Sequence, residues 1–409
     1  MPLIRKNNTA DQNWVRRMNR SIILEVLRTH RTLSRAGLAS ETGLNPSTVS
    51  SIISRLLNEN LVRETDLIQP ATGRPGRLLE LNPQGGCALG IEINVDYMSI
   101  ALTDFTANIL WRRRLPSNPE NPHSVILDQA EGLIQEALNA GSRFSLRFLG
   151  IGVGVPGLVD LRSGDVKIAP NLKWYDLPIR APLASRFDLP VYVENEANAA
   201  ALGEYYFGVA RQVENFIYLS AGIGLGSGIM IDGKLFRGSQ GYASEVGHMT
   251  FDVNGELCGC GKHGCWETFV GPRAVERRVR NTLREGAESY LLELAGGKLD
   301  CINFEFVVQA AQKGDPVALA ALHEVGYYLG LGVANLVNAF NPEMIVLGGA
   351  LNLASPILLP VMEQTMFENA LATNCEKVKI AASAHGTDAC LMGTIALVLD
   401  DILREPLLY

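Results

Sequence analysis

Glu245-Val246-Gly247-His248 is followed, nine residues later, by Cys258-Gly259-Cys260-Gly261-Lys262-His263-Gly264-Cys265-Trp266-Glu267. Three thiols in a C-x-C-x4-C pattern and one upstream imidazole supply four donors, and Cys3His is a normal structural zinc set. Glycines at 259, 261 and 264 let the chain fold back so that the three sulfurs face one ion. His263 competes with His248 for the fourth place. It lies inside the cysteine loop, where its ring would have to reach back, so the expected ligands are His248, Cys258, Cys260 and Cys265. A Gly-rich loop with incidental thiols is the plainer alternative, and the density of cysteines weighs against it. Glu245 and Glu267 flank the block and are not needed by a four-coordinate metal. They are free to accept hydrogen bonds from something polyhydroxylated.

With 409 residues, 47% of them hydrophobic and 19% charged, the chain has room for two or three ordinary globular domains. No continuous apolar run is long enough to span a bilayer. Met1-Pro2-Leu3-Ile4-Arg5-Lys6 lacks the apolar core of a secretory signal. Seven cysteines, an odd number with three clustered, point to a reducing compartment and a metal site, not a disulfide framework. A cytoplasmic protein with no membrane partner is expected. Charge is uneven: residues 1–80 carry twelve Lys and Arg against seven Asp and Glu, leaving 24 basic and 36 acidic residues in the remainder. A basic head on an acidic body is the footprint of a chain whose head alone meets nucleic acid.

The head reads as a helix-turn-helix. Residues 1–13 are polar and expected to be loose. Ile22, Ile23, Val26 and Leu27 recur at helical spacing from Arg20 to Thr29. Ser34 can cap a second helix through Thr42. Asn45 and Pro46 suit the cap and first position of a third, running to about Asn58. There Val49, Ile52, Ile53, Leu56 and Leu57 form a buried stripe and leave Ser47, Thr48, Ser50, Ser51, Ser54 and Arg55 open. Small hydroxyl side chains on a recognition helix let it sit deep in the major groove. Leu61-Val62-Arg63 and Leu78-Leu79-Glu80-Leu81 read as the strands of a wing. Its tip, Ala71-Thr72-Gly73-Arg74-Pro75-Gly76-Arg77, places two arginines where a narrow minor groove would take them. The expected DNA contacts are therefore Ser47, Thr48, Ser50, Ser51, Arg55, Arg74 and Arg77. A helical protein-interaction module with a solvated charged loop is the rival reading.

The block at 245–267 resembles the zinc and sugar signature of the ROK family (repressors, open reading frames, sugar kinases), with every motif position filled. The resemblance covers about residue 85 to the end. It implies an α/β body of two actin-like lobes around a cleft, the ROK sugar-kinase fold, preceded here by a winged helix-turn-helix like that of the family's repressors. It implies boundaries at 1–80 for the head, 81–194 with 381–409 for a smaller lobe, and 195–380 for a larger lobe holding the zinc. It also implies that His248 binds structural zinc and touches sugar, and that Glu245 and Glu267 hold sugar hydroxyls. Asn195 and Glu196 in Val193-Glu194-Asn195-Glu196-Ala197-Asn198 match further sugar ligands, with Asn171 of Ala169-Pro170-Asn171-Leu172 joining them.

Kinases of this superfamily open with a D-x-G-G-T turn whose glycines admit phosphate. The matching Glu92-Ile93-Asn94-Val95-Asp96 has neither glycine, and Asp96 adds a repelling charge. The second loop, Leu219-Ser220-Ala221-Gly222-Ile223-Gly224-Leu225-Gly226-Ser227-Gly228, keeps its glycines but has Ala221 for the family's threonine. These glycines, and Gly348-Gly349, also suit tight turns. Glu196 stands where the family places a catalytic Asp. The chain is therefore expected to be no enzyme but a sugar-responsive transcriptional repressor, a homodimer or tetramer on operator DNA. Sugar would close the lobes and change the spacing of two heads. The run Gly90–Tyr97 resembles the xylose-repressor-type branch, which makes xylose the first effector to consider and glucose the second. Two alternatives stay open: an ATP-dependent sugar kinase with a DNA-binding head, and a sugar sensor acting through a protein partner.

Overall fold

The computed structural model of the chain describes residues 12–68 and 76–404. The head contains α1 (Gln12–His30), β1 (Leu33–Ser34), α2 (Arg35–Thr42), α3 (Pro46–Asn58), β2 (Val62–Ile68) and β3 (Gly76–Leu81). The Ser34 hydroxyl accepts from the Gly37 amide at 3.0 Å, the cap expected of it. Gly43 ends α2 in the left-handed region at φ 66°, a conformation glycine adopts without penalty. Asn45 sits at the cap position of α3 but makes no side-chain capping bond. The fixed φ of Pro46 sets that start instead. Ile23, Leu24 and Leu27 of α1 bury against Leu38, Val49, Ile53, Leu56 and Leu79. The three short strands pair in the order β1-β3-β2. Helix α1 begins eight residues before Arg20; Trp14, Val15 and Met18 continue the three-to-four spacing there, but Trp14 and Val15 remain exposed.

The body continues with β4 (Cys87–Ile93), β5 (Tyr97–Asp104), β6 (Ile109–Pro116), α4 (His123–Gly141) and β7 (Phe148–Val155). Next come β8 (Leu158–Asp160), β9 (Asp165–Ala169), β10 (Trp174–Leu177), α5 (Arg180–Phe187), β11 (Val191–Asn195) and α6 (Glu196–Phe207). The second half holds β12 (Phe216–Ala221), β13 (Leu225–Ile231), β14 (Lys234–Leu235), α7 (Glu267–Val270), α8 (Pro272–Arg284), α9 (Tyr290–Leu294), α10 (Phe304–Gln312) and α11 (Pro316–Phe340). It ends with β15 (Met344–Gly349), α12 (Ser355–Asn369), α13 (Ala372–Cys375), β16 (Lys379–Ala382) and α14 (Ala389–Leu403).

Two five-stranded sheets form, in the orders β11-β7-β4-β5-β6 and β14-β13-β12-β15-β16. In each, the first strand is central. It pairs antiparallel with the second and parallel with the fourth. The two halves are thus one topology used twice, a repeat with no short sequence period to reveal it. Strand β4 is buried at all seven positions, so it shows no in-out alternation. A strand covered on both faces has no polar side to display.

The halves exchange their last helices. Helix α6 follows the final strand of the first sheet yet lies on β12 and β13 of the second. Helix α14 closes the chain yet lies on β4 and β7 of the first, and the two helices pack against each other. Glycines permit this approach: a Cβ at Gly393 would stand 1.7 Å from the Ala199 carbonyl oxygen, and one at Gly152 2.0 Å from that of Thr394. Between β14 and β15 the long insertion buries Trp266, whose indole N–H donates to the Tyr328 carbonyl at 2.9 Å. Among the described residues α11 is the one helix long and apolar enough to cross a membrane. Here it is a core helix packed by α8, α10 and α12. Three arginines of α8 are paired: Arg277 with Glu256 at 2.7 Å, Arg278 with Glu324 at 2.8 Å and Arg280 with Glu276 at 3.0 Å.

Replacing Gly393 by alanine forces backbone apart at the α6–α14 crossing, and overpacking of this kind costs about 1–3 kcal/mol. Urea denaturation of Gly393→Ala should show a lower midpoint with an unchanged slope. Alanine at Gly132, where a Cβ meets nothing within 4 Å, should not.

Candidate functional site: a metal loop, a sugar cleft and a DNA face

His248 ends a short turn, Val246–His248, directly after Glu245. Its ring and the sulfurs of Cys258, Cys260 and Cys265 offer four donor atoms within 4.8 Å of one another. Cys260 and Cys265 sulfurs are 3.6 Å apart, and Cys258 Sγ is 3.7 Å from His248 Nδ1. Tetrahedral zinc with Zn–S of about 2.3 Å holds its ligands roughly 3.5–3.8 Å apart, so the residues fit that ion. His263 is outside the group, with Nδ1 2.9 Å from the Gly255 carbonyl oxygen. Gly261 and Gly264 adopt left-handed backbone at φ 84° and 62°. A Cβ at Gly264 would stand 1.6 Å from the Asp252 carbonyl oxygen. Gly259 has neither constraint, so two of the three expected glycines are required by the fold-back.

The carboxylates converge on the same histidine. His248 turns Nδ1 toward the thiols, and its Nε2 lies 3.9 Å from the Glu245 carboxylate. Glu267 Oε1 lies 3.6 Å from His248 Nδ1 and accepts from the Cys258 thiol at 2.7 Å. Its other oxygen accepts from the Leu225 amide at 3.3 Å. Glu267 therefore ties the metal loop to the β12–β13 hairpin. Asn195 caps α6, accepting from the Ala197 and Asn198 amides at 2.8 and 3.2 Å, and donates to the Gly157 carbonyl at 2.8 Å. One amide hydrogen is left for a ligand. Glu196, half-buried at the first position of α6, has no hydrogen-bond partner among the described residues. Asn171 stands exposed in the turn Pro170–Leu172 and makes no hydrogen bond to the other five.

The β4–β5 turn bonds mostly within itself. Asn94 Oδ1 accepts from the Val95 amide at 2.7 Å, while Asn94 Nδ2 and the Tyr97 hydroxyl both donate to Glu92 Oε1. Glu92 Oε2 is buried without a partner. In the equivalent β12–β13 turn, a Cβ at Gly224 would meet Glu267 at 2.6 Å and one at Gly226 would meet Ala197 at 3.0 Å. A Cβ at Gly348 would meet the Tyr218 hydroxyl at 1.9 Å. Close packing accounts for these three glycines.

On the head, Ser47, Ser50, Ser51 and Arg55 are exposed along α3 and Thr48 is half-exposed. Arg77 is held by Glu64 at 2.7 Å, and Arg35 grips the same carboxylate at 2.8 Å. Arg74 lies outside the described residues. The early turns of α1 add Arg16 and Arg17 to the groove that Ser47, Ser51 and Arg55 line. Those arginines escaped the sequence reading because it began the helix at Arg20.

Burial pushes the carboxyls of Glu92 and Glu196 up to about 7, and for Glu196 the charges of Glu92, Glu245 and Asp96 push the same way. An acid whose folded-state affinity for the proton is raised gives its full stability below the ordinary carboxyl range, and that stability is lost as pH rises toward 7. Glu196→Gln should melt within a degree or so of the parent at pH 5. At pH 8 it should melt higher, by roughly 2 °C or more if one pKa unit, about 1.4 kcal/mol, is recovered. Differential scanning at the two pH values checks this, and equal melting at pH 8 would contradict the burial described.

Residues 88–401 match the ROK family, and residues 20–63 match a winged helix-turn-helix DNA-binding family. The xylose repressor of Caldicellulosiruptor bescii is 35% identical over 97% of this chain and 99% of its own length. A solved ROK family transcriptional regulator, described as a homologue of the E. coli MLC protein, superposes with a TM-score of 0.81 at 29% identity. It covers 95% of this chain and 98% of its own. A ROK family glucokinase from Streptomyces griseus, solved with glucose and AMPPNP, gives a TM-score of 0.68 at 32% identity and covers 76% of this chain and 99% of its own. With its two-lobed body and winged head so matched, the chain belongs to the ROK family.

Proposed function

We propose that this chain is a sugar-responsive, DNA-binding transcriptional repressor of sugar-utilisation genes. Coverage carries the reading. The repressor relative runs the length of this chain, head included, whereas the glucokinase is matched almost whole by only 76% of it. The β4–β5 turn supports the same conclusion. Its Val95 amide is already taken by Asn94, and Glu92 and Asp96 place carboxylates where a nucleotide phosphate needs donors. The protein is on this reading no kinase. The rival, a kinase with a DNA-binding head, draws on one observation: Glu196 begins α6 with its proton affinity near neutrality, which suits a general base.

In this reading Glu245, His248 and Glu267 hold the sugar, with Glu196, Asn195 and Asn171 completing the set, and xylose precedes glucose as the expected effector. Carboxylates that a bound sugar would cover discriminate strongly, because a sugar lacking one hydroxyl leaves a charge unpaired. His248, Cys258, Cys260 and Cys265 would hold zinc, which supplies structural rigidity to the loop presenting Glu245 and Glu267. Ser47, Thr48, Ser50, Ser51, Arg55, Arg74 and Arg77 would face operator DNA. The division into 1–80, 81–194 with 381–409, and 195–380 draws support from the two sheets and their exchanged helices. Two or more copies in the cytoplasm would read paired half-sites about 34 Å apart. Sugar acts by binding the operator-incompetent state better.

Xylose at a hundred times its dissociation constant should stabilise the fold by about 2.7 kcal/mol, visible as a melting shift that Glu267→Gln removes. With ATP, magnesium and a sugar panel, a coupled assay should show no turnover; rates of about 1 per second or more, ordinary for kinases, would overturn the reading. Metal analysis should find one zinc per chain. Chelation or Cys265→Ser should lower the melting temperature and abolish the sugar-induced shift.

A further inference from the structure

Besides the bonds of Asn60 and Leu61 to the connecting segment at Asn82 and Gln84, two side chains of α1 donate to the body, each to a helix that lies on a different sheet. On α1, the Ser21 hydroxyl donates to the Leu403 carbonyl at 2.8 Å, the last residue of α14, which lies on the first sheet. Seven residues on, two turns along the same face, Arg28 donates through Nη1 to the Tyr206 carbonyl at 2.9 Å. That carbonyl closes α6, which lies on the second sheet. Helix C-termini leave carbonyls unpaired and carry partial negative charge, so a guanidinium is well matched there. Arg28 is 9% exposed. Glu25 holds its Nε at 2.9 Å, the Tyr206 ring lies 4.4 Å from its guanidinium carbon, and Arg211 donates to its carbonyl at 3.3 Å.

The other end of α6 is in the cleft. Asn195 caps it and Glu196 begins it. A helix of this length spans about 18 Å, and from Ala197 to Tyr206 it is buried throughout, so it moves as a rod. The ends of α6 and α14 are also joined directly, the Tyr206 hydroxyl donating to the Asp400 carboxylate, so a rotation of one sheet against the other that reaches these ends strains that joint, and α1 is bonded to both sides of it.

We propose that α1 reads the angle between the lobes through this pair of bonds, and that Arg28 is the positioning residue that couples the cleft to the DNA-binding head. This rests on the function proposed above. It names α1, and not the wing or the segment 82–86, as the route of the signal.

The test uses the full chain, D-xylose and D-glucose, and a duplex selected from a random-sequence pool by the wild-type protein. In the wild type, sugar should weaken duplex binding by about 5- to 150-fold, the usual range of allosteric coupling. In Arg28→Ala, sugar alone and duplex alone should each bind within about threefold of wild type, while the effect of sugar on duplex affinity falls below about threefold. Ser21→Ala should lose part of the effect. Because Arg28 is buried, hydrogen exchange on the wild type gives a second readout. Sugar should change amide protection across residues 20–30 and in the last turns of α6 and α14. Full coupling in a folded Arg28→Ala protein, or unchanged exchange in α1, would overturn this inference alone. A wild-type protein whose duplex binding ignores both sugars would overturn the proposed function and this inference with it.

Discussion

The crossing of α6 over α14 is the constraint on which the molecule depends. Each helix belongs by sequence to one lobe and by packing to the other, and glycines at 203 and 393 let their backbones meet. One face of each sheet is therefore covered by a helix lent by its neighbour, and the other by helices of its own half. This interlock fixes where the cleft opens, because α6 starts at its floor with Asn195 and Glu196. It also fixes where the head sits, because both helices end beneath α1.

The cleft chemistry is built by sharing groups. Glu267 serves the Cys258 thiol and the Leu225 amide, and lies close to His248. His248 divides its two nitrogens between thiols and carboxylate. Such sharing makes the site sensitive to single changes, since an unpaired buried charge costs more than the bond it loses. The two turns at the lobe hearts are equivalent in topology and unlike in content. In the first, the Asn94 side chain accepts from the Val95 amide. In the second, the absence of side chains leaves room for Glu267 and Ala197.

Much of this was legible in the chain alone. The cysteine spacing and His248 gave a metal group that closes in space, and the Ser34 cap and Gly43 turn stand as expected. Motifs of this kind are local, so their spacing is their geometry. What stayed hidden was long-range or non-periodic. The early turns of α1 place Trp14 and Val15 in solvent and the packed stripe starts at Ile23, so Arg16 and Arg17 fell in the unassigned stretch between the loose residues 1–13 and the helix at Arg20. The exposed Asn45 looked like a cap and makes no such bond. Strand β4 could not announce its burial on both faces by alternation. The doubled topology and the exchanged helices leave no trace in spacing, because they are properties of pairing between residues far apart in the chain.

The helix exchange also governs how the chain comes into being. The face of the first sheet that α14 covers is complete by Asn195, the end of β11, yet α14 ends at Leu403. At about 5–20 residues per second of synthesis, that apolar face waits roughly 10–40 s on the ribosome before its lid is made. A newborn chain of this design is exposed to sticking and to capture of a neighbour's α14, and needs shelter during that interval.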